Sequence, residues 1–257
     1  MGPIMQSVTF EMVEGIGIIT INRPEAKNCV NREVAEGIAN AIDVVESSTD
    51  LQVGILTGAG GTFCAGMDLK AFLRGENIRI GDRGLAGLTC AVLKKPFIAA
   101  VEGYAIAGGF EMALACDLIV ASREARFGLP EVKRGLVANA GGMVRLPRQL
   151  PYRIALELAL TGDMITAEEI SSYGLINRIV APGTALDEAI KLARTIAANG
   201  PLAIAVSKRV IQESQDWSST DMFARQQEIT APIFKSEDAR EGALAFAEKR
   251  KPIWQGK

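Results

Sequence analysis

Histidine is absent from all 257 residues. That absence excludes Ser-His triads, Cys-His pairs and His-ligated zinc within the chain. Any acid–base chemistry falls to carboxylates, lysine, tyrosine or cysteine. Aromatics make up only 5% against 48% hydrophobic residues overall, so the core is mainly aliphatic and alanine. No apolar run approaches the ~20 residues that a membrane helix requires. Met1 to Phe10 lacks a basic region followed by an apolar core, so no signal peptide is expected and a cytoplasmic location is. The net charge of −2, with no run of Lys and Arg to offset it, gives no footprint for nucleic acid. Cys29, Cys64, Cys90 and Cys116 are scattered, with no C-x-x-C pair. Three of them lie among apolar or small residues, and buried free thiols are the expected state.

The length suffices for one large or two modest domains with a substantial core. The stretch from Lys95 to Arg148 organises the rest. Pro96-Phe97-Ile98-Ala99-Ala100-Val101 reads as a buried strand, and Met112 to Cys116 continues as helix formers. Between them, in Ala105-Ile106-Ala107-Gly108-Gly109-Phe110-Glu111, the backbone is bare where a helix begins. The first amides of a helix lack intrahelical acceptors, and its dipole attracts negative charge there. Gly108 and Gly109 therefore fit an anion- or oxyanion-holding turn; close packing of helix on strand explains a glycine pair equally well. Glu111 also has a bland explanation, dipole complementarity worth roughly 0.3–1 kcal/mol.

Val8 to Val13 and Ile16 to Asn22, separated by Glu14-Gly15, predict a hairpin. Asn31 is placed to cap a helix running to about Ser47, with Val34, Ile38, Ala41, Ile42 and Val45 on one face. Val53 to Thr57 is a third strand, followed by a Gly58–Gly61 turn and the small-residue segment Thr62–Leu69. Arg74 to Gly84 is polar and aperiodic and reads as a mobile surface loop that could act as a lid. A helix is expected from about Leu85 to Leu93, strands at Leu118–Ala121 and Arg126–Gly128, a turn or helix start at Leu129-Pro130-Glu131, and a loop over Gly135–Gly142. Beyond Arg145 the pattern is helical over 152–160, 166–173, 186–198, 202–213, 219–233 and 237–249, broken by one strand at Asn177–Val180. Alternating strands and helices predict an α/β core. The expected division is residues 1–182 as core and 183–257 as an appended helical region.

Several segments together resemble the crotonase (enoyl-CoA hydratase/isomerase) superfamily over essentially the whole chain. They are Asn22-Arg23-Pro24 with Asn28; Leu56-Thr57-Gly58; Phe63-Cys64-Ala65-Gly66-Met67-Asp68-Leu69; Lys95 to Val101; Gly108-Gly109-Phe110-Glu111; Cys116-Asp117; and Phe127 to Glu131. Gly141-Gly142, Arg145-Leu146-Pro147-Arg148, Ser236 to Gly242 and Phe246-Ala247-Glu248-Lys249-Arg250 follow in register. The resemblance implies a spiral core of ββα turns with a helical C-terminal trimerisation region, and a homotrimer or hexamer. It also implies an acyl-CoA thioester substrate of fatty-acid or related β-oxidation, with no cofactor beyond the coenzyme A of the substrate and no metal.

By the same resemblance, the amides of Met67 and Gly108 form an oxyanion hole. Glu111 orients and deprotonates water, and Glu131 supplies the α-proton during hydration of a 2-enoyl-CoA. Two close buried carboxylates would push one apparent pKa towards neutrality. Coenzyme A is expected along Arg23, Ala26, Lys27, Ala65, Asp68, Leu69 and Gly109, with Phe246 and Lys249 contributing across a subunit boundary. Asp68 reads equally as a helix cap, and Phe246 and Lys249 as core and solvated positions of an amphipathic helix. Two departures stand out: Ala107 replaces the first of three glycines, and Ala138-Asn139 lacks a proline and glycine often found there. The phrases around Phe110 and Phe246 also look like crotonobetainyl-CoA hydratases. An isomerase or hydrolase of the same superfamily and a non-catalytic acyl-CoA-binding homologue are the competing readings. Retention of both glutamates favours hydration.

Overall fold

The computed structural model describes residues 6–257, so Met1–Met5 of the N-terminal segment lie outside the described residues. Strands β1 (Val8–Val13) and β2 (Ile16–Ile21) form the expected hairpin, pairing Val13 with Ile16 across the turn. Helix α1 (Arg32–Ser47) starts where Asn31 accepts a hydrogen bond from the Val34 amide, and its apolar stripe is buried. Strand β3 (Val53–Gly58) lies parallel to β2, β4 (Phe97–Val101) parallel to β3, and β6 (Leu118–Ser122) parallel to β4. With β9 (Arg178–Val180) they complete a six-stranded sheet in the order β1-β2-β3-β4-β6-β9. Its central strands are covered on both faces, which is why they read as continuous apolar runs.

A second sheet holds β5 (Tyr104–Ile106), β7 (Arg126–Gly128) and β8 (Met164–Thr166), with β5 parallel and β8 antiparallel to β7. Cys64 bridges to Ala105 and so extends this sheet with the segment after β3. Each turn of the chain thus gives a longer strand to the large sheet, a shorter strand to the small one, then a helix. The repeat runs β4, β5 and α3 (Gly108–Ala115), then β6, β7 and the 3-10 turn Pro130–Arg134. This is the ββα spiral of a crotonase-like fold. Strands β5 and β8 are not predicted by the sequence, whereas the equally short β7 and β9 are.

The helix expected at Leu85–Leu93 is not formed. Gly84, Ala86 and Gly87 all take positive φ, and the segment is a series of turns in which the Thr89 hydroxyl accepts from the Leu85 amide. Left-handed residues in succession break the helical ladder. The polar segment Arg74–Gly84 is tied down rather than free: Arg83 pairs with Asp43 of α1 at 2.5 Å, Arg32 donates to the Asn77 carbonyl, and Ile78 and Ile80 pack on the core. A short helix, α2 (Leu69–Leu73), precedes it, capped by Asp68.

Helices α4 (Gly142–Gln149), α5 (Tyr152–Thr161), α6 (Ala167–Ser171) and α7 (Ala185–Ala197) follow, then α8 (Pro201–Glu213), α9 (Met222–Thr230) and α10 (Glu237–Ala247). The α7 helix lies beyond the expected boundary at 182/183 yet packs Ala189 and Ala193 onto Ile18, Ile55, Ile98 and Val120 of the large sheet. In packing, it belongs with the α/β layers. The α8 and α9 helices bury no residue within the chain. Among the described residues, no helix is long and apolar enough to cross a membrane. All four cysteines are free; Cys64 and Cys116 are buried as expected, whereas Cys29 is half-buried and Cys90 exposed.

Candidate active site

Glu111 lies in α3, a helix buried from Gly108 to Leu114. An acid inside an all-round apolar helix needs partners. The Glu111 Oε1 atom accepts from the amides of Ala140, at 2.7 Å, and Gly142, at 2.9 Å, on the loop entering α4. A Cβ at Gly142 would stand 3.1 Å from both Cγ and Oε1 of Glu111, so a side chain there would press the carboxylate out of place by a few tenths of an ångström. The side chain is thus committed to a loop about thirty residues on, and dipole complementarity does not account for it. Burial raises its pKa, opposed by the two amides and by Arg145.

Glu131 sits in the 3-10 turn after β7, and its Oε2 is buried without a hydrogen-bond partner. Its carboxyl is pushed up to about 7, chiefly by burial, with the charge of Glu111 adding to the effect and Arg134 opposing it. The expected shift towards neutrality is present, although burial outweighs the neighbouring carboxylate as its cause. A half-protonated carboxyl with an unpartnered oxygen beside a second buried carboxylate can both donate and accept a proton near neutral pH.

The backbone supplies the complementary feature. A Cβ built on Gly66 would lie 3.3 Å from the Gly108 nitrogen, and one on Gly108 would lie 3.8 Å from the Met67 nitrogen. The Met67 and Gly108 nitrogens therefore lie near one another, and neither amide has an acceptor among the described residues. The Cys64 sulfur accepts from the Gly66 amide at 3.3 Å and orients that turn; burial pushes its thiol up to about 12, which makes it a poor nucleophile. The two glycines of the pair part company here. Gly109 faces the Cys64 carbonyl, which any Cβ would strike, whereas Gly108 faces the tip of the Leu85 side chain and, farther off, the Met67 nitrogen.

Ala107, the departure from three glycines, has φ 52° and ψ −130°. Non-glycine residues in such sparsely populated regions cost of order 1–3 kcal/mol, partly offset by the extra unfolded-state freedom of glycine. Ala107→Gly is therefore expected to raise stability by about 1 kcal/mol, measured by denaturant unfolding. A destabilised variant would show that the Ala107 methyl packs usefully.

Of the residues expected to meet coenzyme A, the structure gathers one group. Arg23 donates to the Cys29 carbonyl and pairs with Asp68 at 3.2 Å; the Ala65 amide donates to the Lys27 carbonyl; Val30 bridges to Met67. Buried Asn28 holds this loop, accepting from the Arg23 amide and donating to the carbonyls of Ala59 and Thr62. The Lys27 ammonium lies 5.2 Å from the centre of the Tyr104 ring. Leu69 is exposed on α2 beside this group, and Ala26 lies half-buried within it. Asp68 does cap α2 and pairs with Arg23 as well. Phe246 lies on α10 but is 87% exposed rather than a core position, and Lys249 lies beyond the end of that helix at φ 54°; neither has a hydrogen bond or ion pair to this group among the described residues. Missing from the sequence reading were the amide donors Ala140 and Gly142 and the turn at Leu85–Thr89. Only the Gly141-Gly142 pair ahead of α4 signalled the former.

The family profile described as enoyl-CoA hydratase/isomerase matches residues 11–257. An enoyl-CoA hydratase of Mycobacterium tuberculosis is 44% identical over 247 residues, covering 93% of each chain. A carnitinyl-CoA dehydratase of Salmonella arizonae is 43% identical over 246 residues, covering 93% of this chain and 94% of that one. The crystal structure of an enoyl-CoA hydratase from Mycobacterium marinum superposes with a TM-score of 0.96 at 58% identity, covering 98% of this chain and 100% of that one. The chain belongs to the enoyl-CoA hydratase/isomerase family.

Proposed function

We propose that the protein is an enoyl-CoA hydratase, a lyase adding water across the 2,3 double bond of a 2-enoyl-CoA thioester. The observation that carries this reading is the pairing of two carboxyls of raised pKa, buried Glu111 and half-buried Glu131, with two neighbouring, acceptor-free amides. A thioester carbonyl gains negative charge as an enolate forms, and donors fixed in advance favour that charge over the ground state. In this reading Met67 and Gly108 hold the thioester oxygen. Glu111, anchored by two amides, orients water and takes its proton, and Glu131, half-protonated near neutrality, supplies the α-proton in its protonated form. Loss of absorbance of the conjugated thioester across a panel of 2-enoyl-CoA substrates tests it; a protein that hydrates none of them is not a hydratase.

The carnitinyl-CoA dehydratase among the relatives supports a second reading, in which the acyl group carries a cationic tail. Including crotonobetainyl-CoA in the same panel distinguishes the two. Coenzyme A would lie along the Arg23–Lys27 loop and the Ala65–Leu69 segment, with exposed Leu69 offering apolar surface to pantetheine. The free thiols, one of them exposed, suit a reducing compartment such as the cytoplasm.

Assembly as a trimer or a pair of trimers is part of the proposal. Its support is the C-terminal region, where Phe223 is 70% and Phe234 81% exposed on or beside helices that bury nothing within the chain. Exposed aromatic groups of this kind mark contact surfaces. Sedimentation is expected to show a trimer or hexamer at micromolar concentration; a stable monomer would contradict it.

A further inference from the structure

We infer that Arg145 is a positioning residue that couples the loop holding Glu111 to the turn whose Leu85 side chain packs against Gly108. Its kinetic consequences rest on the hydratase reading above. Arg145 stands on the first turn of α4, where its amide donates to the Gly141 carbonyl at 2.9 Å. Its Nη1 packs against the α-carbon of Gly141, in the space a side chain there would fill. Gly141 lies between Ala140 and Gly142, the residues whose amides hold Glu111 Oε1. The other terminal nitrogen, Nη2, donates to the Thr89 carbonyl at 2.6 Å. Thr89 is fully buried, and its hydroxyl accepts from the Leu85 amide at 3.0 Å. Leu85 Cδ2 in turn lies 2.9 Å from where a Cβ on Gly108 would stand.

One planar guanidinium therefore braces two supports of the candidate site that are far apart in sequence. Its fork geometry allows this, since one nitrogen packs on Gly141 while the other bonds Thr89; a lysine ammonium offers a single point of attachment. No hydrogen bond joins Arg145 to the Glu111 carboxylate, so its action runs through the backbone of residues 140–142 and through its charge. The charged groups around Glu111 are Glu131 on the 3-10 turn, with Arg134 next to it, and Arg145 on α4. Arg148 of the same helix is engaged with Asp216 at 3.0 Å. The cation favours ionised Glu111, so removing it raises the pH at which Glu111 ionises. The acid limb of kcat/KM then moves to higher pH.

The test compares full-length wild type, Arg145→Met and Arg145→Lys by steady-state kinetics on 2-butenoyl-CoA, by pH profile, by thermal melting and by hydrogen exchange of the segment spanning residues 138–142. Arg145→Met is expected to lower kcat by about 10²-fold, the scale of an ångström-sized misplacement, while KM changes little. Its acid limb should move up, and exchange should rise locally in residues 138–142. Arg145→Lys should restore the acid limb through its charge, yet leave kcat well below wild type. Unchanged kcat with unchanged local exchange overturns the inference. So does exchange that rises across the whole chain with a proportional loss of folded protein, which marks a general stabilising role. If wild type hydrates no thioester, the hydratase reading fails separately, and local exchange alone decides whether Arg145 holds the loop.

Discussion

Glu111→Gln and Glu131→Gln are each expected to fold, to keep their oligomeric state and to lose about 10²–10⁴-fold in kcat, the usual contribution of a general acid or base. Glutamine at position 111 retains an oxygen that can accept from the Ala140 and Gly142 amides, so the loop ahead of α4 keeps its anchor. What it loses is the capacity to take a proton from water. Glutamine at position 131 places an amide where a protonated carboxyl stood, and an amide cannot deliver a proton to carbon. Because the two groups serve a single addition, the double variant should be little worse than either single one. Full activity in either single variant would remove that residue from the mechanism.

The Glu131 variant carries a second expectation, in stability. The folded pKa of about 7 lies above the reference value of 4.5. A carboxyl shifted in that direction contributes fully below about pH 4.5, and its contribution is lost as pH rises through about 7. Above that range the ionised, partly buried carboxylate destabilises the fold, by an amount that solvent screening at its exposed part reduces. Glu131→Gln should therefore melt higher than wild type at pH 8, with the advantage shrinking towards pH 5. The same ionisation should make wild-type kcat/KM fall above about pH 7, since Glu131 acts as the acid in the hydration direction. An advantage independent of pH would mean that the buried oxygen does not titrate as its surroundings require.

Long, strongly patterned elements were legible in the sequence: the β1–β2 hairpin, the capped stripe of α1 and the apolar run of β4 each follow from local residue choice. The three-residue strands β5 and β8 were not, because their pairing is set by the spiral as a whole. The Leu85–Leu93 segment misled for a specific reason. Its composition is helical, but its backbone is bent by left-handed Gly84, Ala86 and Gly87 so that Leu85 meets the Gly108 turn and Thr89 meets Arg145. The candidate site shows the same split. Glu111 and Glu131 were found through motif, yet the reason for Glu111's orientation lies in the amides of Ala140 and Gly142, which carry no side-chain signature. The unpartnered oxygen of Glu131 is a property of burial alone. Asp68 fits the helix-cap reading, since it caps α2 with one oxygen, and its other oxygen meets Arg23, a contact the sequence reading did not anticipate.

Gly108→Val is expected to reduce kcat/KM by two or more orders of magnitude while changing stability modestly, the loss of about 2.7–4 kcal/mol that follows removal of one oxyanion donor. The geometry separates this from a packing effect. A Cβ at Gly108 would stand 3.7 Å from the Gly66 α-carbon and 3.8 Å from the Met67 nitrogen, beside the second amide. Its one close contact, 2.9 Å, is with the tip of the Leu85 side chain, which can shift. Gly108 has an ordinary helical backbone, so valine there meets no conformational barrier of the kind that glycine relieves at positive φ. Gly109 is the built-in contrast, because a Cβ there strikes the Cys64 carbonyl and the second sheet would have to move. Gly109→Ala should accordingly lower the melting temperature steeply, and Gly108→Val should not. Melting and enoyl-CoA turnover measured on the same preparations distinguish the roles. If Gly108→Val melts early yet turns over normally per folded molecule, Gly108 packs the helix on the strand and the thioester oxygen is held elsewhere.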